Sequence, residues 1–363
     1  MQQKIKTSDD YKQLENCPYC SGKIVKRGIR KKKYESIQRY YCENCNKSLT
    51  ATITKNKTYP LKIIIDSITL YNKLNPIENI PEIIKEKYGI SITSRTVFDW
   101  VKEYEKYTPF IRMREFASKH YNQKELIEES KLFHQQIYNF KYHKAKLGLI
   151  LNEEFKNHRF KPLQEFLELA ITECPHQIFK DSNKRASDYK NVFNLDQVKI
   201  IPKNNTAVKI ANFVTQAVNN NKLRHEALQE FMIANDTVTV ASELAVLIGS
   251  DGINHLKHEL NFEIPITLKD GEYITGHIDL VQVRNGSIYI MDFKPSANKD
   301  KPIDQLTLYA LALSRLTGLR LYHFKCAWFD DKNYYEFFPL HVVYKLKNRK
   351  KLSKEQTRLP NEN

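Results

Sequence analysis

The sequence predicts a multidomain α+β protein, and three observations support this fold class. Two Cys-x2-Cys pairs stand near the N-terminus. A stretch of helical periodicity with a glycine turn follows at residues 61–104. Further along, two β-rich runs flank an Asn-Gly turn. We predict five segments: a cysteine-bearing ribbon at 1–57, a helix-turn-helix at 58–108, a helical linker at 109–205, an α/β core at 206–345 and a basic tail at 346–363.

The amino-acid composition limits the classes of protein to which this chain can belong. The chain has 363 residues, enough for two or three domains, and 41% apolar content argues against a disordered chain. No apolar run approaches the ~20 residues of a membrane span, and the N-terminus lacks the apolar segment of a signal peptide. We therefore expect an intracellular protein of the cytoplasm or nucleoid, with no membrane partner.

The net charge of +16 is concentrated at the two ends of the chain. Residues 1–60 carry 14 Lys and Arg against five Asp and Glu, and residues 341–363 carry seven against two. Residues 235–340 are acidic, with ten basic against 14 acidic side chains. Basic ends favour a polyanionic partner, above all DNA, although ordinary solvated lysines would give the same count.

Four of the six cysteines form the two N-terminal pairs, Cys17 with Cys20 and Cys42 with Cys45. Two such pairs about 20 residues apart can place four thiolates around one tetrahedral Zn²⁺. Disulfides are rare in a chain without an export signal. We predict a structural zinc, because four protein ligands leave no open position for catalysis.

Basic and aromatic residues alternate between the cysteine pairs, on a predicted two-stranded ribbon. The stretch "CPYCSGKIVKRGIRKKKYESIQRYYCENCNKSLT" resembles the N-terminal zinc ribbon of insertion-sequence transposases. This resemblance implies contact with DNA. The residues we expect to contact DNA from the ribbon are Lys26, Arg27, Arg30, Lys31, Lys32 and Lys33.

Residues 61–104 predict three helices with a Gly-containing turn before the last one. Thr93 can cap this last helix, which directs Val97, Trp100 and Val101 inward. Ser94 and Arg95 then face outward, where a recognition helix would contact DNA bases. A plain three-helix bundle is the alternative. The phrase "SRTVFDWVKEY" also resembles the recognition helix of transposon proteins.

The middle of the chain carries no motif. Residues 110–224 are rich in aromatic and basic side chains and are predicted to be mostly helical. We expect this region to serve as a scaffold or linker.

The stretch "GHIDLVQVRNGSIYIMDFKP", residues 276–295, predicts a β-hairpin with two acids in its apolar strands. Asp279 and Asp292 stand on opposite strands, where they can lie close together. Two buried carboxylates repel each other unless a cation joins them, and oxygen ligands suit Mg²⁺ or Mn²⁺. Lys294 shares a strand face with Asp292. A salt-bridged strand pair is the alternative.

A helix follows the hairpin, and Gln305 and Tyr309 share one of its faces. The order G-H-I-D, D-F-K and Q-L-x-x-Y resembles the RecB-like and Cas4-like branch of the PD-(D/E)xK nuclease superfamily. The resemblance implies a restriction-endonuclease-like α/β core that hydrolyses phosphodiester bonds. It implies that Asp279, Asp292 and a further Glu bind the metal. Lys294 would assist the attacking water, and Gln305 and Tyr309 would hold the site and DNA.

The resemblance implies that the further Glu lies upstream of the hairpin, on or near a strand. It also implies a metal-binding His on a helix before that Glu. Two pairs fit this order in the sequence. His225 with Glu243 is one, and His255 or His258 with Glu263 is the other. We favour His225 and Glu243, because small and apolar residues flank Glu243 and an unpaired carboxylate there is costly. Glu263 alternates with apolar residues and can face solvent.

The two remaining cysteines, Cys174 and Cys326, are interpreted as ordinary buried thiols. Related nucleases often carry four cysteines around the nuclease core, and these bind an iron–sulfur cluster. Only Cys174 and Cys326 remain here, so we expect no such cluster. The hypothesis is a metal-dependent DNA nuclease linked to a mobile element or to DNA defence or repair. The alternatives are a transposon-derived DNA-binding protein with an inactive nuclease fold, or a DDE-type transposase. The sequence is also compatible with a homo-oligomer.

Overall fold

The computed structural model describes residues 14, 16, 17, 19–50, 57–153, 155–181, 184–196, 198–218 and 221–344. The predicted basic tail at 346–363 lies outside the described residues. None of the helices in these ranges is long and apolar enough to cross a bilayer.

The N-terminal region folds into a small antiparallel sheet. Its strands, in spatial order, are β1 (Ile24–Lys31), β2 (Ser36–Cys42) and β3 (Ser48–Thr50). Ile37, Tyr40 and Cys42 of β2 are buried, while most of β1 faces solvent. The register shifts between Lys26 and Ile29, and Gly28 takes a φ of 73° there. A positive φ suits glycine, so the bulge falls at the glycine of "KRGIR".

Three helices follow: α1 (Leu61–Asn72), α2 (Ile80–Tyr88) and α3 (Ser94–Glu103). Gly89 ends α2 with a φ of 68°. The predicted N-cap of α3 is confirmed, because the Thr93 side chain accepts a hydrogen bond from Thr96 N at 3.1 Å. Val97, Trp100 and Val101 are buried as predicted. These helices share a hydrophobic core with the C-terminal sheet rather than forming a core of their own.

The middle region is not mostly helical, and the prediction of a helical linker is wrong for residues 127–143. A β-hairpin forms there, and α-helices flank it on both sides. The elements of this region are α4 (Ile111–His120), β4 (Ile127–His134), β5 (Gln136–His143), α5 (Lys144–Glu153), α6 (Lys161–Leu169) and α7 (His176–Asp181).

The physical reason is the period of two in "QIYNFKYH", which buries Phe140 and Tyr142 on one face. The hairpin also gains a partner far along the chain, because Lys141 and Tyr142 of β5 pair with the sheet described next. Tertiary pairing of this kind is invisible to local periodicity.

The C-terminal region builds a large mixed sheet with helices on both faces. Its elements are β6 (Ile201–Pro202), α8 (Thr206–Thr215), α9 (Asn221–Asn235), β7 (Thr239–Gly249), α10 (Ser250–His258), β8 (Tyr273–Arg284), β9 (Ser287–Phe293), α11 (Ile303–Thr317), β10 (Phe324–Phe329), β11 (Tyr334–Phe337) and α12 (Leu340–Val343). The eight strands run in the order β4-β5-β7-β8-β9-β10-β11-β6. Only β9 and β10 are parallel among these pairings, and α11 connects them.

The predicted hairpin of β8 and β9 is confirmed. Asn285 and Gly286 have φ of 49° and 65°, as a two-residue type I′ turn requires. Along β9, Ile288 and Ile290 enter the core on the α11 side of the sheet. Tyr289 enters the core shared with α1–α3, α8 and α9. Because both faces are covered, every polar residue in these strands must find a partner.

Candidate active site

Three elements bring potential ligands to one point of the sheet. His225 lies on α9, Glu243 on β7 and Asp279 on β8. His225 Nε2 is 2.7 Å from Asp279 Oδ2, and His225 Nδ1 is 3.9 Å from Glu243 Oε1. One ligand atom of each of these side chains lies within 4.8 Å of the other two. These residues could together hold a metal ion.

Glu243 has an unusual backbone for a strand residue, with a φ of 52°. Its neighbours Ser242 and Leu244 pair normally with β8. A left-handed conformation at a residue other than glycine costs about 1–3 kcal/mol and is typical of functional sites. The local twist turns the Glu243 carboxylate towards His225 and Asp279.

Asp292 and Lys294 complete the group from β9 and the residue after it. Lys294 Nζ lies 2.9 Å from Asp292 Oδ2. Within the described ranges this buried oxygen has that ion pair but no hydrogen bond of normal geometry. Asp279 Oδ2 in turn accepts a hydrogen bond from Phe293 N at 3.1 Å. The two hairpin strands therefore hold both carboxylates against each other, with one of them under-coordinated.

Burial and mutual repulsion perturb these groups strongly. Burial, with the Asp279 charge adding to it, raises the pKa of both Glu243 and Asp292 to about 7. Burial also pushes the pKa of Asp279 upward, but His225 outweighs this and holds that pKa below its ordinary value. Burial lowers the pKa of His225, yet Asp279 overrides it and the pKa rises to about 9.

The donor set fits a divalent cation. Three carboxylates and one imidazole are ligands that Mg²⁺ and Mn²⁺ accept. With His225 at a raised pKa, the imidazolium supplies the positive charge that a cation would otherwise provide. Asp292 Oδ2 is buried and has only the Lys294 ion pair within the described ranges, so it is a further candidate oxygen ligand. His225, Glu243 and Asp279 could therefore hold a metal ion, and Asp292 lines the same cleft.

Helix α11 covers this cluster through Gln305 and Tyr309. Gln305 Nε2 donates to the Tyr309 hydroxyl at 2.9 Å, so the two side chains lie on one face of the helix as predicted. The Tyr309 ring lies directly on Gly276 of β8, three residues before Asp279. Gln305 and Tyr309 both line the cleft that contains the cluster.

This cleft has a volume of about 1060 Å³. The acid cluster and Lys294 lie along it, with Lys141 and Arg185 on its walls and Lys62 of α1 at its border. Glu226 and Glu230 also line the cleft, and Lys141 forms an ion pair with Glu230, so its walls carry charges of both signs around an acidic centre that suits a cation.

Residues 201–355 match the PD-(D/E)XK nuclease superfamily. The match marks a PD-(D/E)XK-like domain over 155 of the 363 residues, and the large mixed sheet is consistent with a restriction-endonuclease-like fold. Members of this superfamily are generally metal-dependent nucleases. No curated protein and no solved structure matches the chain.

The alternative ligands lie elsewhere in this PD-(D/E)XK domain. His255 and His258 are on α10, and Glu263 is exposed in the irregular segment after it. Glu263 N donates to Val343 O at 2.7 Å, which ties that segment to α12. Neither these histidines nor Glu263 belong to the cluster with Asp279. The favoured pair, His225 and Glu243, is the one that lies beside the hairpin acids.

Gln229 is a site residue that the sequence analysis missed. Its Nε2 donates to Glu243 Oε1 at 2.6 Å and lies 3.3 Å from Asp279 O. It is buried on α9, one helical turn after His225. The signal was present, because residues four apart share a helix face. Tyr138 and Arg185 were also missed, since each reaches the cleft from outside the PD-(D/E)XK domain.

The four N-terminal cysteines also come together. Cys17 Sγ is 3.6 Å from Cys45 Sγ, and Cys20 Sγ is 3.5 Å from Cys42 Sγ. Zn–S bonds of about 2.3 Å in a tetrahedron place sulfurs about 3.8 Å apart. This group could therefore hold zinc. Cys326 is a buried thiol, as expected, with its Sγ 3.4 Å from Leu306 O.

The predicted DNA-contacting side chains are mostly accessible. The exposed ones are Lys26, Arg27, Arg30, Lys31, Lys33 and Arg95. Lys32 is half-buried and forms an ion pair with Glu35 at 3.1 Å. Ser94 is half-buried at the start of α3, where Arg95 pairs with Asp99 at 3.2 Å. Internal pairing reduces the positive charge that Lys32 and Arg95 offer to a polyanion.

Proposed function

We propose that this chain is a Mg²⁺- or Mn²⁺-dependent deoxyribonuclease of the RecB-like branch. The observation that carries the proposal is the His225–Glu243–Asp279 cluster beside the Asp292–Lys294 ion pair in one cleft. A purely structural ion pair gives no reason to gather three carboxylates, one buried and two half-buried, at one point. A cation site does.

Each residue has a distinct role in this proposal. Glu243, Asp279 and Asp292, with His225, would hold the cation, which when bound would lower the pKa of water and stabilise charge on a phosphate. Lys294, fixed by Asp292, orients the attacking water and neutralises charge that develops on the phosphodiester. Nucleophilic attack then breaks a P–O bond of the DNA backbone and leaves a phosphate and a hydroxyl.

Other parts of the chain would bind the DNA and bring the strand to be cut to the cleft. Arg185 and Lys141 on the cleft walls, with Gln305 and Tyr309, line the path of the strand to be cut. The cysteine-bearing ribbon and α3 would bind duplex DNA through phosphate contacts and base edges. This order of parts supports a role in a mobile element or in DNA defence or repair, inside the cell.

The test is a nuclease assay on linear, circular and single-stranded DNA with Mg²⁺ or Mn²⁺. We expect cleavage by the wild-type protein and a loss of at least ~100-fold for Asp292→Ala and Lys294→Ala. The matched controls are Asp251→Ala and Lys257→Ala on α10, an acid and a base remote from the cluster. Both controls should cleave at the wild-type rate.

Other outcomes identify the rival functions. DNA binding without cleavage under any metal condition would favour a binding protein with an inactive nuclease fold. Strand-transfer products would favour a transposase. Undiminished cleavage by both Asp292→Ala and Lys294→Ala would place the activity outside this cluster.

A further inference from the structure

A second group of metal-ligating side chains lies outside the acid cluster. His134, at the end of β4, faces Cys174, which lies just before α7, and His176, the first residue of α7. His134 Nε2 is 2.7 Å from His176 Nδ1 and 3.8 Å from Cys174 Sγ. One ligand atom of each residue lies within 4.8 Å of the other two.

We propose that His134, Cys174 and His176 bind a second transition-metal ion, of which Zn²⁺ is the best fit. This site is separate from the four N-terminal cysteines and from the carboxylate cluster. The inference does not depend on the proposed nuclease activity.

The chemistry of the donors selects the class of ion. One thiolate and two imidazoles are borderline-to-soft ligands that suit Zn²⁺ and exclude Mg²⁺, which requires oxygen. Zn–N bonds of about 2.0 Å and a Zn–S bond of about 2.3 Å place ligand atoms about 3.3–3.6 Å apart. The nitrogen–sulfur separation is close to this value. The two histidines need to separate by about 0.6 Å to admit the ion.

The backbone brings Cys174 and His176 together before any ion arrives. His176 N donates to Cys174 O at 2.8 Å, which closes a three-residue turn around Pro175. Proline restricts φ at the centre of this turn. A Cys-Pro-His sequence therefore presents a thiol and an imidazole on the same side with little conformational freedom left to lose.

The third ligand, His134, is held in place by its neighbours. Its ring stacks on Phe179 of α7, with centroids 4.3 Å apart and planes at 12°. Its Nδ1 lies 2.8 Å from His277 Nε2. If Nδ1 donates this hydrogen bond, the lone pair of Nε2 points to Cys174 and His176.

The site lies behind one wall of the nuclease cleft. His277 stands two residues before Asp279 and stacks flat on Tyr138, with centroids 3.5 Å apart. Tyr138 in turn accepts a hydrogen bond from Arg185 at 2.5 Å. Zn²⁺ bound by His134, Cys174 and His176 would fix β4 and α7 against this wall. The bound ion would have a structural role and would take no part in the proposed cleavage reaction.

The experiment uses the full-length protein loaded with Co²⁺, with zinc content measured in parallel on zinc-loaded protein. Thiolate-to-Co²⁺ charge-transfer absorption reports only sites with a cysteine ligand, so the carboxylate cluster is silent. We expect Cys174→Ser and His176→Ala each to lose about one equivalent of zinc. Cys174→Ser should also lose one thiolate contribution to the absorption.

Matched controls are available for each residue type. Cys326→Ala removes a buried thiol, and His255→Ala removes a half-buried histidine of α10, both away from this site. Both should retain the wild-type zinc content. Asp292→Ala should also keep the thiolate absorption, which separates this site from the proposed nuclease centre.

A second measurement tests the proposed site even if the Cys174→Ser variant does not fold. The Cys42→Ser/Cys45→Ser variant removes half of the N-terminal sulfur ligands and leaves Cys174 intact. After mild chelation empties the weakened N-terminal site, we expect the absorption of a one-thiolate tetrahedral Co²⁺ site to remain. Absence of that absorption, or wild-type zinc content in folded Cys174→Ser and His176→Ala, would overturn the proposal.

Discussion

Gly276 of β8 and Tyr309 of α11 are in contact so close that no side chain fits between them. A Cβ added at Gly276 would lie 2.9 Å from Tyr309 Cζ and closer still to Cε1. Strand and helix therefore meet at a glycine, and the Tyr309 hydroxyl reaches Gln305 beside the acids. The glycine of "GHID" is required by a tyrosine more than 30 residues along the chain.

Gly276→Ala should destabilise the protein. The added methyl group forces the buried Tyr309 ring or the strand to move, at a cost of about 1–3 kcal/mol. Thermal unfolding followed by circular dichroism measures the change. Gly148→Ala in α5 is the control, because its added Cβ meets only the Tyr121 hydroxyl at 3.3 Å. An unchanged melting temperature for Gly276→Ala would show that the helix can shift freely.

Glu243→Gln should make the metal-free protein more stable and the enzyme inactive. The wild-type carboxyl has a pKa raised to about 7 by burial and by Asp279, so ionisation at pH 8 opposes folding. Removing that charge should raise the free energy of unfolding by about 2 kcal/mol at pH 8. Urea unfolding at pH 8 and at pH 5 tests this, because the gain should shrink at pH 5.

The stabilisation by Mn²⁺ should grow as the pH rises from 6 to 8. Glu243, Asp292 and His225 have pKa values raised to about 7, 7 and 9 in the folded state. Each contributes stability that is complete below its unfolded pKa and is lost as the pH rises through its folded pKa. Mn²⁺ needs the deprotonated ligands, so it replaces the lost protons.

The measurement is the Mn²⁺-induced shift in melting temperature at each pH. Glu243→Gln should show a smaller shift that depends less on pH. A larger shift at pH 6 than at pH 8 would contradict the assignment of these ligands.

Gln229→Ala should weaken metal binding without removing a ligand. Gln229 donates a hydrogen bond to Glu243, and this bond lowers the pKa of that carboxyl. Loss of a residue that orients a metal ligand typically costs ~10–100-fold in affinity. Calorimetric titration with Mn²⁺ gives the dissociation constant. Cleavage at saturating Mn²⁺ should remain close to wild type, whereas a loss that excess metal does not restore would indicate a direct catalytic role.

Local chemistry in the sequence predicted several elements well. Asn285–Gly286 specifies a tight turn through positive φ, and Thr93 specifies a helix start through its hydroxyl. Both signals act within a few residues, so the sequence contains all the information. The close approach of the two hairpin acids follows from that turn and from strand pairing.

Other features depend on partners that no local pattern reveals. Glu243 has a left-handed backbone between Ser242 and Leu244, which both pair with β8. Helical spacing places Gln229 on the same face as His225, but only the packing of α9 against β7 brings its side chain to Glu243. The local period of two in "QIYNFKYH" did indicate the strand β5, whereas its pairing with β7, about 100 residues downstream, could not be read from the sequence.

The pairing of β5 with β7 has a consequence for expressing this protein in pieces. A fragment beginning at residue 201, where the superfamily match starts, would lack β4 and β5. The edge of β7 that pairs with β5 would then be open to solvent and to the edges of other molecules. Such a fragment would tend to aggregate, and its cleft would have lost the wall that Tyr138 and Lys141 provide. The smallest fragment that folds and retains this cleft must therefore begin upstream of residue 127.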